Sequence, residues 1–150
     1  MTERTLVLIK PDGVKKGLVD EIKQRLTATG LVIVVEEERS VDAAFAKVHY
    51  DDLAARKGEH IQRRMVAYLS SGPVMAMILE GENAIAEVRR ITGATEPISA
   101  DKGTIRGDLS DDSYAKADSE DRAVENLIHA SDSPENAEKE IKLWFPELIK

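Results

Sequence analysis

The chain has 150 residues, a net charge of −7 and no cysteine. This length suggests a single domain, residues 1–150, that buries a sizeable core without crosslinks. The lack of cysteine excludes disulfides, thiolate metal sites and thiol catalysis, and with three histidines we expect no zinc site built by the protein alone. The acidic balance argues against non-specific binding to nucleic acids, whereas a small anionic ligand needs only a few local cations. We find no signal peptide and no apolar stretch of membrane-spanning length, and therefore expect a cytoplasmic protein.

Hydrophobic periodicity divides the chain into alternating strands and helices. The expected strands are Arg4–Ile9, Leu31–Val35, Val74–Leu79 and Ala123–Ala130. The expected helices are Leu18–Thr29, most of 42–70 with a break near Lys57-Gly58, a segment from the possible cap Asn83 to about Ile91, and Pro134–Phe145. Lys10-Pro11-Asp12-Gly13 predicts a turn. Residues 93–121 are predicted to be a long irregular loop, of a length that is typical of functional loops.

The order β-α-β-α-β-α-loop-β-α favours an α+β fold of the ferredoxin-like split β-α-β type. In that arrangement, we expect helices on one face of a four-stranded antiparallel sheet. A doubly wound parallel sheet is the alternative.

His129 ends the fourth expected strand, immediately before a strongly marked helix start. Ser133 can cap that helix, and Pro134 suits its first position. A side chain at such a corner is held rigidly yet can be reached by a substrate, which suits a nucleophile or a proton carrier. A lone histidine can equally be a packing residue.

No Walker A sequence and no Gly-x-Gly-x-x-Gly motif follows a strand, so side chains would have to hold a phosphate ligand. The candidate cations are Lys10, Arg89 and Arg106, and Thr95 and Asn126 could add neutral donors. Arginine offers bidentate contacts to phosphate, and lysine offers a point charge. Taken singly, each of these cations is also compatible with an ordinary surface residue.

Several short blocks, in order along nearly the whole chain, carry a family resemblance. They are Glu3-Arg4-Thr5-Leu6, Lys10-Pro11-Asp12-Gly13-Val14, His49-Tyr50, Ser71-Gly72-Pro73-Val74, Leu79-Glu80-Gly81-Glu82-Asn83-Ala84, Gly93-Ala94-Thr95, Gly103-Thr104-Ile105-Arg106-Gly107-Asp108 and His129-Ala130-Ser131-Asp132-Ser133. With these blocks the sequence resembles the nucleoside diphosphate kinases. The resemblance implies transfer of the γ-phosphoryl group from ATP or another nucleoside triphosphate to a nucleoside diphosphate, through a phosphohistidine.

The resemblance also implies roles for individual residues. His129 matches the phosphorylated histidine, Glu140 matches a carboxylate that holds the other ring nitrogen with help from Ser131, and Tyr50 matches a residue near the ring. The residues that match phosphate and ribose contacts are Lys10, Arg89, Thr95, Arg106 and Asn126. The implied cofactor is Mg²⁺, carried by the nucleotide phosphates without direct protein ligands, with Asp132 near its water shell.

The sequence departs from the family at two places. The family has a base-stacking aromatic after His49-Tyr50, but here that region has no Phe, and Ile61 or His60 would replace it; His60 alone is more typical of a surface residue. Asp108 to Asn126 is also about ten residues longer than the common form. This acidic insert, at about 109–122, resembles a longer loop of some microbial members. Because negative charge close to the nucleotide would weaken phosphate binding, we expect it to point away from the site. Its Tyr114 could lie near the base, at a subunit interface or in solvent.

The resemblance implies a homo-oligomer. The sequence lacks the longer C-terminal tail of many relatives, so two oligomers stay open, with a hexamer as the first choice and a tetramer as the second. Two other functions fit the sequence less well. An RNA-binding ferredoxin-like module would need sheet aromatics and a basic surface, which the chain lacks. A catalytically silent scaffold is disfavoured by the intact histidine block but is left open by the missing aromatic.

Overall fold

The computed structural model describes residues 2–148, and a four-stranded antiparallel sheet lies at its centre. The strands are β1 (Thr2–Ile9), β2 (Val32–Arg39), β3 (Val74–Glu82) and β4 (Ile128–Ala130), in the spatial order β2-β3-β1-β4. Every paired neighbour is antiparallel. This is the ferredoxin-like arrangement that the element order predicts, and the doubly wound alternative is wrong.

The helices of the described residues surround this sheet. They are α1 (Pro11–Lys15), α2 (Val19–Thr27), α3 (Ala43–His49), α4 (Leu53–Lys57), α5 (Glu59–Leu69), α6 (Ala84–Thr92), α7 (Ile105–Leu109), α8 (Tyr114–Ser119) and α9 (Pro134–Trp144), with 3-10 turns at Pro97–Ser99 and Pro146–Leu148. Over residues 2–148, no helix is both long enough and apolar enough to cross a membrane.

Helices cover both faces of the sheet, so the expectation of one covered face is wrong. In β1, Leu6 and Leu8 pack on one side with α3 and α9, and Val7 and Ile9 pack on the other with α2 and α6. All four side chains are fully buried. Because successive side chains of a strand point to opposite faces, an unbroken apolar run such as Leu6–Ile9 requires a cover on each side.

The helix boundaries follow local signals at most places. The helical region after Asp42 is broken at Gly58, whose φ is +96°, and Ser133 caps α9 by accepting a hydrogen bond from the Asn136 amide at 3.1 Å. The expected turn at Lys10–Gly13 is instead helix α1, because Pro11 fits the first position of a helix. Asn83 precedes α6 but makes no side-chain cap; the carboxylate of Glu3 accepts from the Ile85 amide instead.

The fourth strand is shorter than expected. Pairing with β1 begins only at Ile128, and the preceding residues, predicted as strand from Ala123, form no ladder there. Leu127 has a φ of +71°, which interrupts an extended chain. The predicted loop 93–121 also contains more structure than expected, since α7 and α8 both lie within it.

Candidate active site

One cleft of about 290 Å³ brings together nearly all the residues that the sequence singled out. It lies beside β4, between α3–α5 and the segment that contains α8. Its lining includes Lys10, Tyr50, Ile61, Arg89, Thr95, Arg106, Asn126, His129, Asp132 and Glu140. Ser131 is buried and contacts the lining through the carboxylate of Glu140. Residues that are more than 110 positions apart in the chain therefore share one site.

His129 lies at the middle of β4, where it pairs with Leu8 of β1. Its Nε2 is 2.9 Å from Oε1 of Glu140, and the hydroxyl of Ser131 donates to the same oxygen at 2.6 Å. Glu140 reaches the ring because α9 starts at the cap Ser133 and carries it about two turns further. The sequence could not establish this contact.

The Glu140 contact determines which ring nitrogen of His129 is available. A carboxylate accepts a hydrogen bond, so Nε2 carries the proton and Nδ1 keeps its lone pair. The side chain of His129 is 18% exposed and lines the cleft. The arrangement presents a neutral imidazole in one tautomer and one orientation, as nucleophilic catalysis requires.

The backbone before His129 is held in an unusual turn. The Ile128 amide donates to the Asn126 carbonyl at 2.8 Å, across Leu127 with its positive φ. Such a γ-turn is rare and strained, and persists only where neighbours enforce it. The Lys10 amide donates to the Leu127 carbonyl at 2.8 Å, and Asp12 accepts from the Leu127 amide at 3.1 Å.

Asp12 and Tyr68 form a buried pair that the sequence did not reveal as important. The Tyr68 hydroxyl donates to Asp12 and accepts from the Asn126 amide at 3.2 Å. Burial raises the pKa of Tyr68 well above its ordinary value, so the phenol stays a donor. Together these two side chains fix the turn that places Asn126 and His129. The apparent turn residue Asp12 could have been suspected only from its position after a buried strand.

Two buried cations lie beside this turn. Lys10 is 3% exposed, and its Nζ donates to Oδ1 of Asn126 at 3.0 Å. Burial, and secondarily the charge of Arg106, lower the pKa of Lys10 to about 7. Burial also lowers the pKa of Arg106 to about 10. Cations whose charge is disfavoured in this way gain most from an anion placed in the cleft.

The other expected phosphate contacts are held by backbone carbonyls around the same turn. Arg106 donates to the carbonyls of Gly93, Asn126 and Ile128, at 3.2, 3.1 and 2.6 Å. Arg89 donates to the Ala130 carbonyl at 3.3 Å. The Asn126 amide group donates to the Thr95 carbonyl at 3.1 Å. These carbonyl contacts orient the guanidinium groups without neutralising their charge.

His49 packs directly against the ring of His129, at 4.7 Å between ring centroids. Its Nδ1 accepts from the indole nitrogen of Trp144 at 3.1 Å, so its Nε2 carries the proton. Burial is the main cause that holds the pKa of His49 well below its ordinary value, which keeps it neutral. Nitrogens of both histidines and an oxygen of Glu140 lie within 4.8 Å of one another. Because Nε2 of His49 is protonated, this group is arranged as packed donors and acceptors rather than as a metal site.

Tyr50 stands next to His49, at 4.6 Å between ring centroids. Its hydroxyl is buried, as is Nε2 of His49, and neither atom has a hydrogen-bond partner among residues 2–148. Burial raises the pKa of Tyr50 above its ordinary value, so the phenol remains protonated. Two unsatisfied polar atoms beside one nucleophile indicate that a bound group completes the site.

The acidic insert does not point away from the site, so that expectation is wrong. Tyr114, Ala117 and Asp118 of α8 line the same cleft as His129. The acidic side chains face arginines, because Arg64 binds Asp118 and Arg122 binds Asp112, each at 2.6 Å. Neutralisation by these arginines removes the repulsion on which the expectation rested.

The side of the cleft toward α5 offers apolar surface beside the charged Arg56, Lys57 and Arg64. Ile61 and Met65 line it, together with Leu53, Ala123 and Val124. His60 is an exposed residue that contacts Arg63, as expected of a surface position. Of the two residues considered as a replacement for an aromatic, the structure therefore brings Ile61 to the cleft.

Comparison with known proteins agrees with this geometry. The family model for nucleoside diphosphate kinase matches residues 3–149. The chain belongs to the nucleoside diphosphate kinase family. A nucleoside diphosphate kinase of Mycolicibacterium vanbaalenii is 46% identical over 147 residues, which cover 97% of this chain and 98% of the relative.

Solved structures of the family share the fold. A nucleoside-diphosphate kinase of Borrelia burgdorferi, a transition state mimic with bound vanadate and ADP, superposes with a TM-score of 0.93 at 38% identity. The match covers 96% of this chain and 87% of that one. An NDP kinase of Pyrobaculum aerophilum gives a TM-score of 0.90 at 38% identity, over 97% of this chain and 96% of that one.

Family membership establishes the class of reaction. As a nucleoside diphosphate kinase, the chain is a phosphotransferase with nucleotide substrates. The cations of the cleft beside His129 suit the phosphates of such substrates. The apolar surface of the cleft does not suit a phosphate, so it is available to another part of the nucleotide.

Proposed function

We propose that this nucleoside diphosphate kinase works by a ping-pong mechanism, in which His129 carries the phosphoryl group between two nucleotides. The observation that supports it most directly is the fixed ring of His129. Its Nε2 is held by Glu140, and the residue lines the same cleft as Lys10, Arg89 and Arg106. Glu140 and Ser131 are positioning residues in this proposal. Tyr50 and the buried Lys10 line the same cleft as His129.

In the first half-reaction, the lone pair of His129 Nδ1 attacks the γ-phosphorus of a nucleoside triphosphate. An N–P bond forms as the bond from the γ-phosphorus to the bridging oxygen breaks, and the nucleoside diphosphate leaves with the bonding electrons. The positive charge that develops on the imidazole is stabilised by the Glu140 carboxylate, so no proton has to be transferred. A second nucleoside diphosphate then reverses these steps.

The cations bind and orient the phosphates. Phosphoryl transfer spreads negative charge over the equatorial oxygens, so catalysis depends mainly on positioning and on cationic stabilisation. In this proposal, Lys10, Arg89 and Arg106 supply the charge, while Thr95 and Asn126 offer neutral contacts to phosphate and ribose. Ile61 contacts the base. Contacts made chiefly to phosphate and ribose imply weak discrimination among bases.

Mg²⁺ is the proposed cofactor, bound by the nucleotide phosphates. Asp132 lines the cleft, and the hydrogen bond that it accepts from Asn136 holds its pKa below the ordinary range, so it is a carboxylate at neutral pH. One or two carboxylates together with substrate phosphates and water suit Mg²⁺. The metal would neutralise charge on the β- and γ-phosphates, and Asp132 would accept hydrogen bonds from its water shell.

Labelling with γ-³²P-ATP tests the role of His129. The chain should acquire a label that is acid-labile and alkali-stable, and His129→Ala should abolish it. His60→Ala is the matched control, because the side chain of His60 is 53% exposed and is not among the described residues that line the cleft. Undiminished labelling of His129→Ala would refute the proposed mechanism, and absence of labelling in the unmodified chain would favour a silent scaffold.

We further propose that residues 1–150 act as one domain with an extension at 109–122, in a cytoplasmic homo-oligomer. Edge strand β2 exposes Val32 and Val34, which supports self-association. A hexamer is proposed over a tetramer on the family resemblance. Light scattering of the purified protein distinguishes the two, and a monomer would contradict both.

A further inference from the structure

The cleft has two chemically different ends. Around His129 it is cationic and polar, whereas toward α5 and α8 it adds apolar surface, from Leu53, Ile61, Met65, Ala117 and Val124, beside the ion-paired Arg64 and Asp118. A nucleotide has the same asymmetry, because its phosphates are anionic and its base is a flat, mostly apolar ring. With the phosphates at the cationic end, the base must lie toward α5 and α8.

Helix α8 is attached firmly at this apolar end, although it has only six residues. The Tyr114 amide donates to Glu96 at 2.9 Å, and Ser113 caps the helix by accepting from the Lys116 amide at 3.1 Å. Arg64 of α5 binds Asp118 at 2.6 Å and Asp121 at 3.1 Å. α5 and α8 are thus joined at the cleft by one guanidinium group whose side chain is only 10% exposed.

Tyr114 is suited to contact a base. The ring lines the cleft while 46% of the residue remains exposed, whereas the other phenol of the lining, Tyr50, is buried beside His49. Tyr114 also lies close to Arg106. It raises the pKa of the Arg106 guanidinium, although burial lowers that pKa by more. Stacking of a base on an aromatic side chain contributes about 1–3 kcal/mol.

We propose that α8 forms the nucleoside-binding wall of the cleft, with Tyr114 as the aromatic contact for the base and Arg64 holding α8 against α5. This inference rests on the proposed function, because it assumes that the phosphates lie at His129. Tyr114 is then a nucleoside-binding residue supplied by the insert, and Ile61 and Met65 provide the neighbouring apolar surface.

The first test compares two phosphoryl donors in Tyr114→Ala and Tyr114→Phe. One donor is ATP, and the other is phosphoramidate, which can phosphorylate an imidazole but has no nucleoside. For Tyr114→Ala, the loss of kcat/KM with ATP should exceed the loss with phosphoramidate by roughly fivefold or more. Tyr114→Phe keeps the ring and should remain within about twofold of the unmodified enzyme with ATP. Equal losses with both donors would overturn the role of Tyr114.

The second test removes the connection between α5 and α8. Arg64→Met keeps most of the side-chain volume but not the ion pairs, so KM for ADP should rise several-fold, with a smaller change in phosphorylation by phosphoramidate. Arg90→Met is the matched control, because Arg90 pairs with Glu87 on the exposed surface of α6. If Arg64→Met and Arg90→Met have the same KM for ADP, the proposed role of Arg64 is overturned.

The two proposals fail in different ways. If His129 is not the nucleophile, phosphoramidate will not label it in any variant, and the labelling experiment will already have failed. If His129 is labelled normally but Tyr114→Ala does not distinguish the two donors, only the nucleoside wall is refuted. A melting temperature measured for each variant confirms that folding is retained.

Discussion

At the scale of single residues, the site depends on polar groups that folding has withdrawn from water. Lys10 illustrates this, because its ammonium group donates to Asn126 yet has its pKa lowered to about 7 by burial. Its neighbour Asp12 raises that pKa, but less than burial lowers it. The charge of Lys10 therefore depends on whether an anion lies beside it.

Nucleotide binding should become weaker as the pH rises above 7. In the free enzyme, Lys10 loses its proton around pH 7, whereas a bound phosphate raises the pKa of the ammonium and restores the charge. The affinity for ADP should then fall by up to tenfold per pH unit between pH 7 and the pKa of the complex. Isothermal titration at several pH values measures this, with proton uptake on binding as a second readout.

Lys10→Met is the control for that pH profile. Its weaker binding should lack the decline above pH 7, which separates Lys10 from ionisation of the ligand itself. Parallel pH profiles of ADP affinity for the unmodified protein and Lys10→Met would contradict the assignment to Lys10.

The lowered pKa of Lys10 also determines how the free energy of unfolding changes with pH. Between pH 7 and 10.5 the unfolded chain binds more protons than the folded one, so the contribution of Lys10 makes stability rise with pH across that window.

Asp12→Ala should be one of the most destabilising single changes in the chain. It leaves the buried Tyr68 hydroxyl and the Leu127 amide without their acceptor, at about 1–3 kcal/mol each. The melting temperature should fall by roughly 4–24 °C, as measured by calorimetry. Asp111→Ala, at an exposed acidic position, should change stability by less than about 0.5 kcal/mol. Similar effects of both substitutions would show that the turn at Leu127 does not need Asp12.

At the scale of elements, sequence reasoning succeeded where the signal was local. Ser133 and Pro134 mark the start of α9 because cap and first-turn preferences act over a few residues. The start of β4 at Ile128 differs from the prediction, because the turn before it depends on Asp12, which is distant in sequence. The placement of α8 was missed for the same reason, since it depends on Arg64.

Ser133→Ala should affect both the stability of α9 and the activity of the site. Loss of the bond from the Asn136 amide costs about 1 kcal/mol. Because α9 also carries Glu140, fraying of its first turn should loosen the contact with His129 and lower kcat as well. Denaturant titration and phosphoryl transfer measure the two effects. Ser133→Asn retains a capping side chain and should therefore keep most of the stability and most of the kcat. If Ser133→Asn loses as much of each as Ser133→Ala does, the capping role is contradicted.

At the scale of the whole molecule, the distribution of charge matters more than its sum. The chain carries −7 overall, yet Lys10, Arg89 and Arg106 all line one cleft. The sequence shows that these cations lie in separate segments, and only the fold shows that the end of β1, α6 and α7 bring them together. A ligand that bridges these elements binds the folded chain and not the unfolded one.

ADP should therefore stabilise the entire fold. At a concentration a hundredfold above its Kd, binding adds about 2.7 kcal/mol, which for a chain of this size corresponds to roughly 5–11 °C in Tm. Adenosine at the same concentration should give a much smaller shift, because it lacks the phosphates that the cations attract. Arg106→Met should reduce the shift with ADP while leaving that with adenosine almost unchanged. Differential scanning fluorimetry over a range of ligand concentrations measures all three, and equal shifts for ADP and adenosine would place the nucleotide elsewhere than at the cationic end of the cleft.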